Sequence, residues 1–238
     1  MTGQTQRIAL VTGASRGIGR ATAKLLASEG WHVVATARAQ RALEEFDDEI
    51  RAAGGQSTLV PLDLKDGDGV DRLGAALYER FGKLDGLVGN AGVLGPLTPA
   101  HQATPGVMAE VFAVNLHANH RLIRAMHPLL RASDAGRAVF LTSPAPRYAP
   151  AYWSPYSSSK GALDVLVRTY AAECAITPIR VNLLDPGAVR TGMRAKAFPG
   201  EDPSTLPHPD EIAPHILALL QPDCDKNGEL IAVDLTKK

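Results

Sequence analysis

Short runs rich in Val, Ile and Leu alternate along this chain with longer stretches of helical periodicity, and that alternation restricts the fold more than any single residue does. The runs are continuously apolar, so both faces of each strand need cover. Helices between the strands supply it, and strand-helix-strand units feeding one sheet make the sheet parallel. Strands are expected at about 8–12, 32–36, 57–62, 86–89, 138–142, 179–184 and 230–233, with helices in the gaps. The expected class is α/β, a doubly wound parallel sheet of about seven strands with helices on both faces. A chain of 238 residues, 45% of them hydrophobic, suits a single domain spanning 1–238.

Charge and cysteine content remove several function classes. Lys plus Arg and Asp plus Glu both number 25, so the basic excess that a phosphate backbone or an anionic membrane selects is missing. Neither nucleic acid nor membrane is expected as a partner. The polar stretch 1–7 leads into an apolar run too short for a signal peptide, and no later run reaches membrane-spanning length. Cys174 and Cys224 make no disulfide framework, so a cytoplasmic location is expected. His117 and His120 lie three apart with no third ligand in view, and no metal is expected.

Chemistry enters at three places. Gly13, Gly17 and Gly19 follow the first strand and open a helical stretch at 20–28. Glycines there permit a tight turn and close approach of backbone to a pyrophosphate, whose charge the following helix N-terminus stabilises. Tyr156 and Lys160 stand four apart just after Pro155, a residue that favours helix starts, so both share one helix face. A fixed positive charge beside a phenol favours its anion, which makes the pair a candidate acid/base; the same spacing also occurs on solvated helix faces. Thr104 and Pro105 mark another helix start. The apolar stripe of Ala162, Leu163, Leu166, Val167, Tyr170 and Ala171 fits core or subunit interface. Between Thr191 and Asp210 the chain is polar and proline-rich, with no strand or long-helix pattern, and reads as a substrate loop at about 191–210.

In order along the chain come Thr12, Gly13, Gly17 and Gly19, then Asp63 and Leu64, then Asn90, Ala91 and Gly92. Asn115, Ser143, Tyr156 with Lys160, and Pro186, Gly187 and Thr191 follow. Over nearly its full length the chain resembles the short-chain dehydrogenase/reductase family of the compact, single-domain type, and 193–203 is similar to a bacterial YciK-like subgroup. The resemblance implies a Rossmann-type fold and hydride transfer between nicotinamide and a small-molecule carbonyl or secondary alcohol. It implies Tyr156 as general acid/base, Lys160 as the charge that lowers the phenol pKa and binds the nicotinamide ribose, and Ser143 as donor to the substrate oxygen. Asn115 would hold a relay water.

Cofactor contacts carry over in the same way to Thr12, Gly13, Ser15, Arg16, Gly17, Ile18 and Gly19. Asp63 and Leu64 would lie at the adenine, Asn90, Ala91 and Gly92 at its ribose, and Pro186, Gly187, Val189 and Thr191 toward the nicotinamide, with Tyr156 and Lys160 completing the set. Many relatives have a second asparagine where this chain has Gly89; the backbone path is expected to survive because glycine is permissive. The second strand ends at Arg38 with no acid, and Arg38 with Arg16 favours NADP(H), NAD(H) staying open. The substrate wall is expected near Leu94, 144–148, Tyr152, Trp153 and the loop carrying Met193, Arg194, Lys196, Phe198, Glu201 and Asp202. The resemblance also implies a homodimer or homotetramer. A non-catalytic nucleotide sensor or scaffold with the same fold is the alternative.

Overall fold

A computed structural model describes residues 6–235; residues 1–5, read above as polar, and 236–238 lie outside it. The chain runs β1 (Ile8–Thr12), α1 (Gly17–Ser28), β2 (His32–Ala37), α2 (Gln40–Ala52), β3 (Gln56–Pro61), α3 (Gly67–Phe81) and β4 (Gly86–Gly89). It continues with α4 (Pro105–Phe112), a π-helical turn (Ala113–His117), α5 (Ala118–Ala132), β5 (Arg137–Leu141), α6 (Ala145–Tyr148) and α7 (Ser154–Glu173). The last elements are β6 (Arg180–Asp185), α8 (Gly192–Ala197), α9 (Pro209–Leu220) and β7 (Leu230–Ala232).

The strands pair in parallel in the order β3-β2-β1-β4-β5-β6-β7, one Rossmann-type sheet. The pleat sends neighbouring residues to opposite faces. Ile8, Leu10, Ala138 and Phe140 therefore join Leu73, Leu122, Met126, Leu163 and Val167 in one core under α3, α5 and α7. Ala9, Val11, Val139 and Leu141 join Leu26, Phe46, Ile216 and Leu220 in the other, under α1, α2 and α9. Fully burying a side chain such as Phe140 or Leu10 contributes about 1.5–3 kcal/mol. Leu163, Val167, Tyr170 and Ala171 of the α7 stripe belong to the first core.

Strand order reverses between β1 and β4, so the loops after their carboxyl ends diverge and leave a crevice there. Every expected strand is present, with ends that match or are displaced by one residue. At β5 the displacement has a physical cause. Arg137 begins that strand although it is charged and buried, because its guanidinium donates to the carbonyls of Gln221 (3.2 Å), Gly136 (3.1 Å), Pro178 (3.0 Å) and Pro222. Four carbonyl partners replace the water it gives up.

The 191–210 stretch is more regular than its composition suggests. Thr191 caps α8 by accepting from Arg194 N at 3.2 Å, and Asp202 caps a 3-10 turn at Pro203–Thr205 by accepting from Ser204 N at 2.9 Å. Such polar residues satisfy the free amides of short helices, which is why the segment lacks a long periodic signal yet folds. Among the described residues no helix is long and apolar enough to cross a membrane.

Candidate active site

The loop after β1 is locked to the loop after β4 by one hydroxyl. Thr12 Oγ1 donates to Val88 O at 3.1 Å and accepts from Asn90 N at 3.0 Å and Ala91 N at 3.1 Å. Asn90 Nδ2 returns a bond to Thr12 O at 2.8 Å and reaches Gly13 O at 3.4 Å. Each such bond contributes about 0.5–1.5 kcal/mol net, and together they fix the two sides of the crevice.

The glycines follow from this closeness. Gly13 has φ +67°, and a Cβ there would meet Asn90 Nδ2 at 2.9 Å. Gly19 is crowded instead, since its Cβ would collide with Asn90 Nδ2 and Gly13 O. Gly17 lies against Thr191, whose Cγ2 would be 3.5 Å from a Cβ at 17, so the glycine turn meets the loop after β6. Ile18, in the first turn of α1, packs partly buried against the core on that face, and Ser15 O accepts from Arg20 Nη1 at 3.4 Å. The α1 N-terminus has no side-chain cap and no acid in its first turn. Its free amides and positive dipole end suit an anion.

The other predicted cofactor residues line the same edge. Arg38 follows β2 and Arg16 precedes α1; both are exposed, and neither forms an ion pair among the described residues. A dinucleotide's phosphates fit this donor set: uncapped amides, a glycine turn and two uncommitted guanidiniums. Asp63 Oδ1 accepts from Lys65 N at 3.0 Å, and Leu64 is buried beneath it. Gly187 N donates to Asp185 Oδ1 at 3.0 Å just after Pro186, while Val189 is buried under the loop that leads to Thr191.

Gly89 is there for a different reason than backbone freedom. A Cβ at 89 would lie 2.7 Å from Asn119 Oδ1 and 2.8 Å from Phe140 Cε1, so those side chains already fill the space. Asn119, buried, also donates from Nδ2 to Asn115 O at 2.8 Å.

Asn115 sits in the π-helical turn rather than in a regular helix. Its Oδ1 accepts from Val93 N at 2.8 Å, and its Nδ2 donates to Val93 O and Ser159 Oγ, each at 2.9 Å. Both ends of the amide are thus committed to protein. Gly92 lies between Asn115 and Lys160: a Cβ at 92 would be 3.3 Å from Asn115 Oδ1 and 3.6 Å from Lys160 Nζ.

Tyr156 and Lys160 are both buried on α7, at 6% and 3% exposure, so the solvated-face reading of their spacing does not hold. Lys160 Nζ donates to Leu141 O at 2.7 Å. Burial lowers its pKa to about 8, against the opposing pull of Asp164. Burial also pushes the Tyr156 phenol up; a hydrogen bond with Ser143 opposes this and the Asp185 carboxylate adds to it. The expected lowering by Lys160 is not what governs the phenol here, because removal from water penalises the phenolate more strongly. Ser143 Oγ also accepts from Ala145 N at 3.2 Å, so it faces the phenol and caps a turn at once.

Trp153 packs edge-on against Tyr156 with ring centroids 5.8 Å apart, and Phe198 lies against Trp153 at 5.8 Å. Leu94, Ala145, Met193 and Ala197 complete this apolar wall. Arg194 covers Phe198 at 3.7 Å and grips Glu201 through two bonds of 2.6 Å, which folds the loop over the tyrosine. Tyr148 and Tyr152 are largely exposed. A groove of about 300 Å³ between α1, α2 and α9 contains none of the predicted site residues.

Sequence reading missed Asp185, Thr142, Asp164 and Asn119, and placed Arg147 only within the expected substrate wall. Arg147 pairs with Asp185, and Thr142 Oγ1 donates to Asp164 Oδ1. Asp164 had a signal: it continues the four-residue spacing of Tyr156 and Lys160 along one helix face.

A parallel sheet with a glycine turn at its switch point, and a buried phenol and ammonium beside it, defines a dinucleotide-dependent oxidoreductase. The chain belongs to the short chain dehydrogenase family, whose model matches residues 7–202. Uncharacterized oxidoreductase YciK of Escherichia coli K12 is 38% identical over 220 residues, covering 91% of this chain and 87% of that protein. The structure of a short chain dehydrogenase from Pseudomonas syringae superposes with TM-score 0.92 at 39% identity, covering 95% of this chain and 94% of that one. One from Shigella flexneri 2a, complexed with NADP, superposes with TM-score 0.91 at 36% identity, covering 95% and 96% respectively.

Proposed function

We propose that this chain is an NADP(H)-preferring oxidoreductase that interconverts a small-molecule carbonyl and a secondary alcohol, with Tyr156 as general acid/base. The observation that carries the reading is the buried Tyr156 phenol, faced by Ser143 and one helical turn from the buried Lys160. Arg16 at the uncapped α1 N-terminus and Arg38 after β2, neither in an ion pair among the described residues, support the 2′-phosphate, as does the NADP complex of the Shigella relative. Thr12, Gly13, Ser15, Gly17, Ile18 and Gly19 would hold the diphosphate, with Asp63, Leu64, Asn90, Ala91 and Gly92 toward the adenosine. Pro186, Gly187, Val189 and Thr191 would hold the nicotinamide end.

The bound dinucleotide supplies or accepts a hydride at the nicotinamide ring. In reduction, Tyr156 gives its proton to the carbonyl oxygen, and a phenol held above its ordinary pKa rests in the protonated form that this step needs. Ser143 donates to the same oxygen as negative charge develops there. Lys160, protonated, stabilises the phenolate left behind. Asn115 fixes Ser159 and the Val93 backbone around that ammonium. The Trp153, Phe198 and Met193 wall excludes water and favours an apolar or aromatic group beside the carbonyl.

The test is oxidation of NADPH and NADH against ketones, aldehydes and quinones. Tyr156→Phe should lose about 10²- to 10⁴-fold in kcat while still binding NADPH. Undiminished turnover in that variant removes Tyr156 as the acid, and tight nucleotide binding without turnover on any substrate favours a sensor.

A further inference from the structure

Three consecutive residues, the last of β5 and the two after it, each engage a different titratable residue of α7. Leu141 O accepts from Lys160 Nζ, the Thr142 hydroxyl donates to the Asp164 carboxylate, and the Ser143 hydroxyl meets the Tyr156 phenol. The α7 partners stand at successive four-residue steps, one turn apart on one face, which is the spacing that lets side chains interact. Tyr156, Lys160 and Asp164 are all buried, Asp164 at 8% exposure. Lys160 and Asp164 form no direct ion pair: Lys160 is held by the last residue of β5 and Asp164 by the residue after it. A buried ammonium whose polar partner is a neutral carbonyl still lacks a counter-charge.

We propose that Asp164 is that counter-charge, a positioning residue that keeps Lys160 protonated at the working pH and is itself oriented by Thr142. The inference rests on the proton-transfer reading of Tyr156 and Lys160 and adds a third member to it. The surroundings offer no substitute. From β6, Asp185 faces Tyr156 and is paired with Arg147 of α6. From the π-helical turn come neutral Asn115 and exposed His117, and from α4 exposed Glu110. Arg180, at the far end of β6, donates to the carbonyls of Thr177 and Ile179. On α7 the remaining neighbour is Arg168, a cation, which with Lys160 and Arg147 favours the ionised form of Asp164. Burial pushes the Asp164 carboxyl up, and the Thr142 hydrogen bond is the largest influence opposing that.

The sign of the effect follows. Asp164 raises the Lys160 pKa, so removing its charge lowers it and deprotonates Lys160 at a lower pH. If protonated Lys160 stabilises the phenolate, activity falls as pH rises through that pKa, and the alkaline limb moves to lower pH in Asp164→Asn. Asp164→Glu keeps the charge and should restore the limb.

The experiment titrates lysine side chains of the full chain by ¹³Cε and ¹⁵Nζ NMR, with Lys160 assigned from Lys160→Arg, alongside the pH dependence of kcat/KM. In Asp164→Asn the Lys160 titration should fall by about one pH unit or more, the usual effect of losing a nearby opposite charge, and the alkaline limb should follow. In the wild-type chain the Lys160 signals should also show a smaller step at the pH where Asp164 protonates, a readout that needs no variant to fold. Absence of that step, or an unmoved Lys160 titration in a folded Asp164→Asn chain, overturns the proposal. A displaced titration in a chain that turns over no carbonyl supports the counter-charge while sinking the hydride-transfer reading.

Discussion

Gly19→Ala tests how closely the crevice is built. The added methyl would fall inside the contact distance of Asn90 Nδ2 and Gly13 O and 2.9 Å from the Gly13 carbonyl carbon. Restoring even that last contact to an ordinary 3.4 Å moves backbone by about 0.5 Å. Gly13 O is part of the turn itself and Asn90 Nδ2 bonds Thr12 O at 2.8 Å, so neither gives way freely. Overpacking of this kind costs about 1–3 kcal/mol, and losing the Asn90 bond adds about 0.5–1.5 kcal/mol. The expected destabilisation is about 2–4 kcal/mol, a fall of roughly 5–15 °C in Tm for a chain of this size. NADPH affinity should fall at least about tenfold, because the displaced amides are those proposed to meet the diphosphate. Gly200→Ala is the control, since a Cβ there meets nothing within 4 Å. Thermal unfolding and fluorescence titration with NADPH measure both effects. A Gly19→Ala chain as stable as Gly200→Ala, binding NADPH as tightly as wild type, would refute the close-approach argument.

Arg38→Ala should weaken NADPH binding about ten- to hundredfold, the size of one lost charge-assisted bond, and leave NADH binding within a few-fold. Equal losses for both nucleotides in a calorimetric titration would dismiss Arg38 as a 2′-phosphate ligand. Glu201→Gln breaks the grip on Arg194 that folds the loop over Phe198 and Trp153. A partly exposed ion pair has a small effect, so KM for an apolar ketone should rise about two- to fivefold with kcat nearly unchanged. A large loss in kcat with constant KM would place Glu201 in the chemistry instead.

The sheet and its helices were legible because they depend on periodicity, which local sequence carries. Short Val, Ile and Leu runs between helical stretches give a parallel sheet in any context that buries both faces. The glycine turn and the Tyr156 and Lys160 spacing were legible for the same reason: each is local, and each uses a geometry that few residue types allow. The 191–210 stretch was harder to read, since α8 and its neighbouring turn rest on single capping residues and one ion pair rather than on a repeating pattern.

What the amino-acid sequence determined by itself is therefore the class of fold and the positions of the residues proposed to move a proton and meet a dinucleotide. Tertiary structure alone decided how far those groups are withdrawn from water. Burial against β5 raises the Tyr156 phenol, lowers Lys160 and puts Asp164 within its field, reversing the simple expectation that the ammonium governs the phenol. It also shows that Gly89 makes room for Asn119 and Phe140. Desolvation and close packing depend on atoms contributed by distant segments, so no window of sequence around Tyr156 contains them.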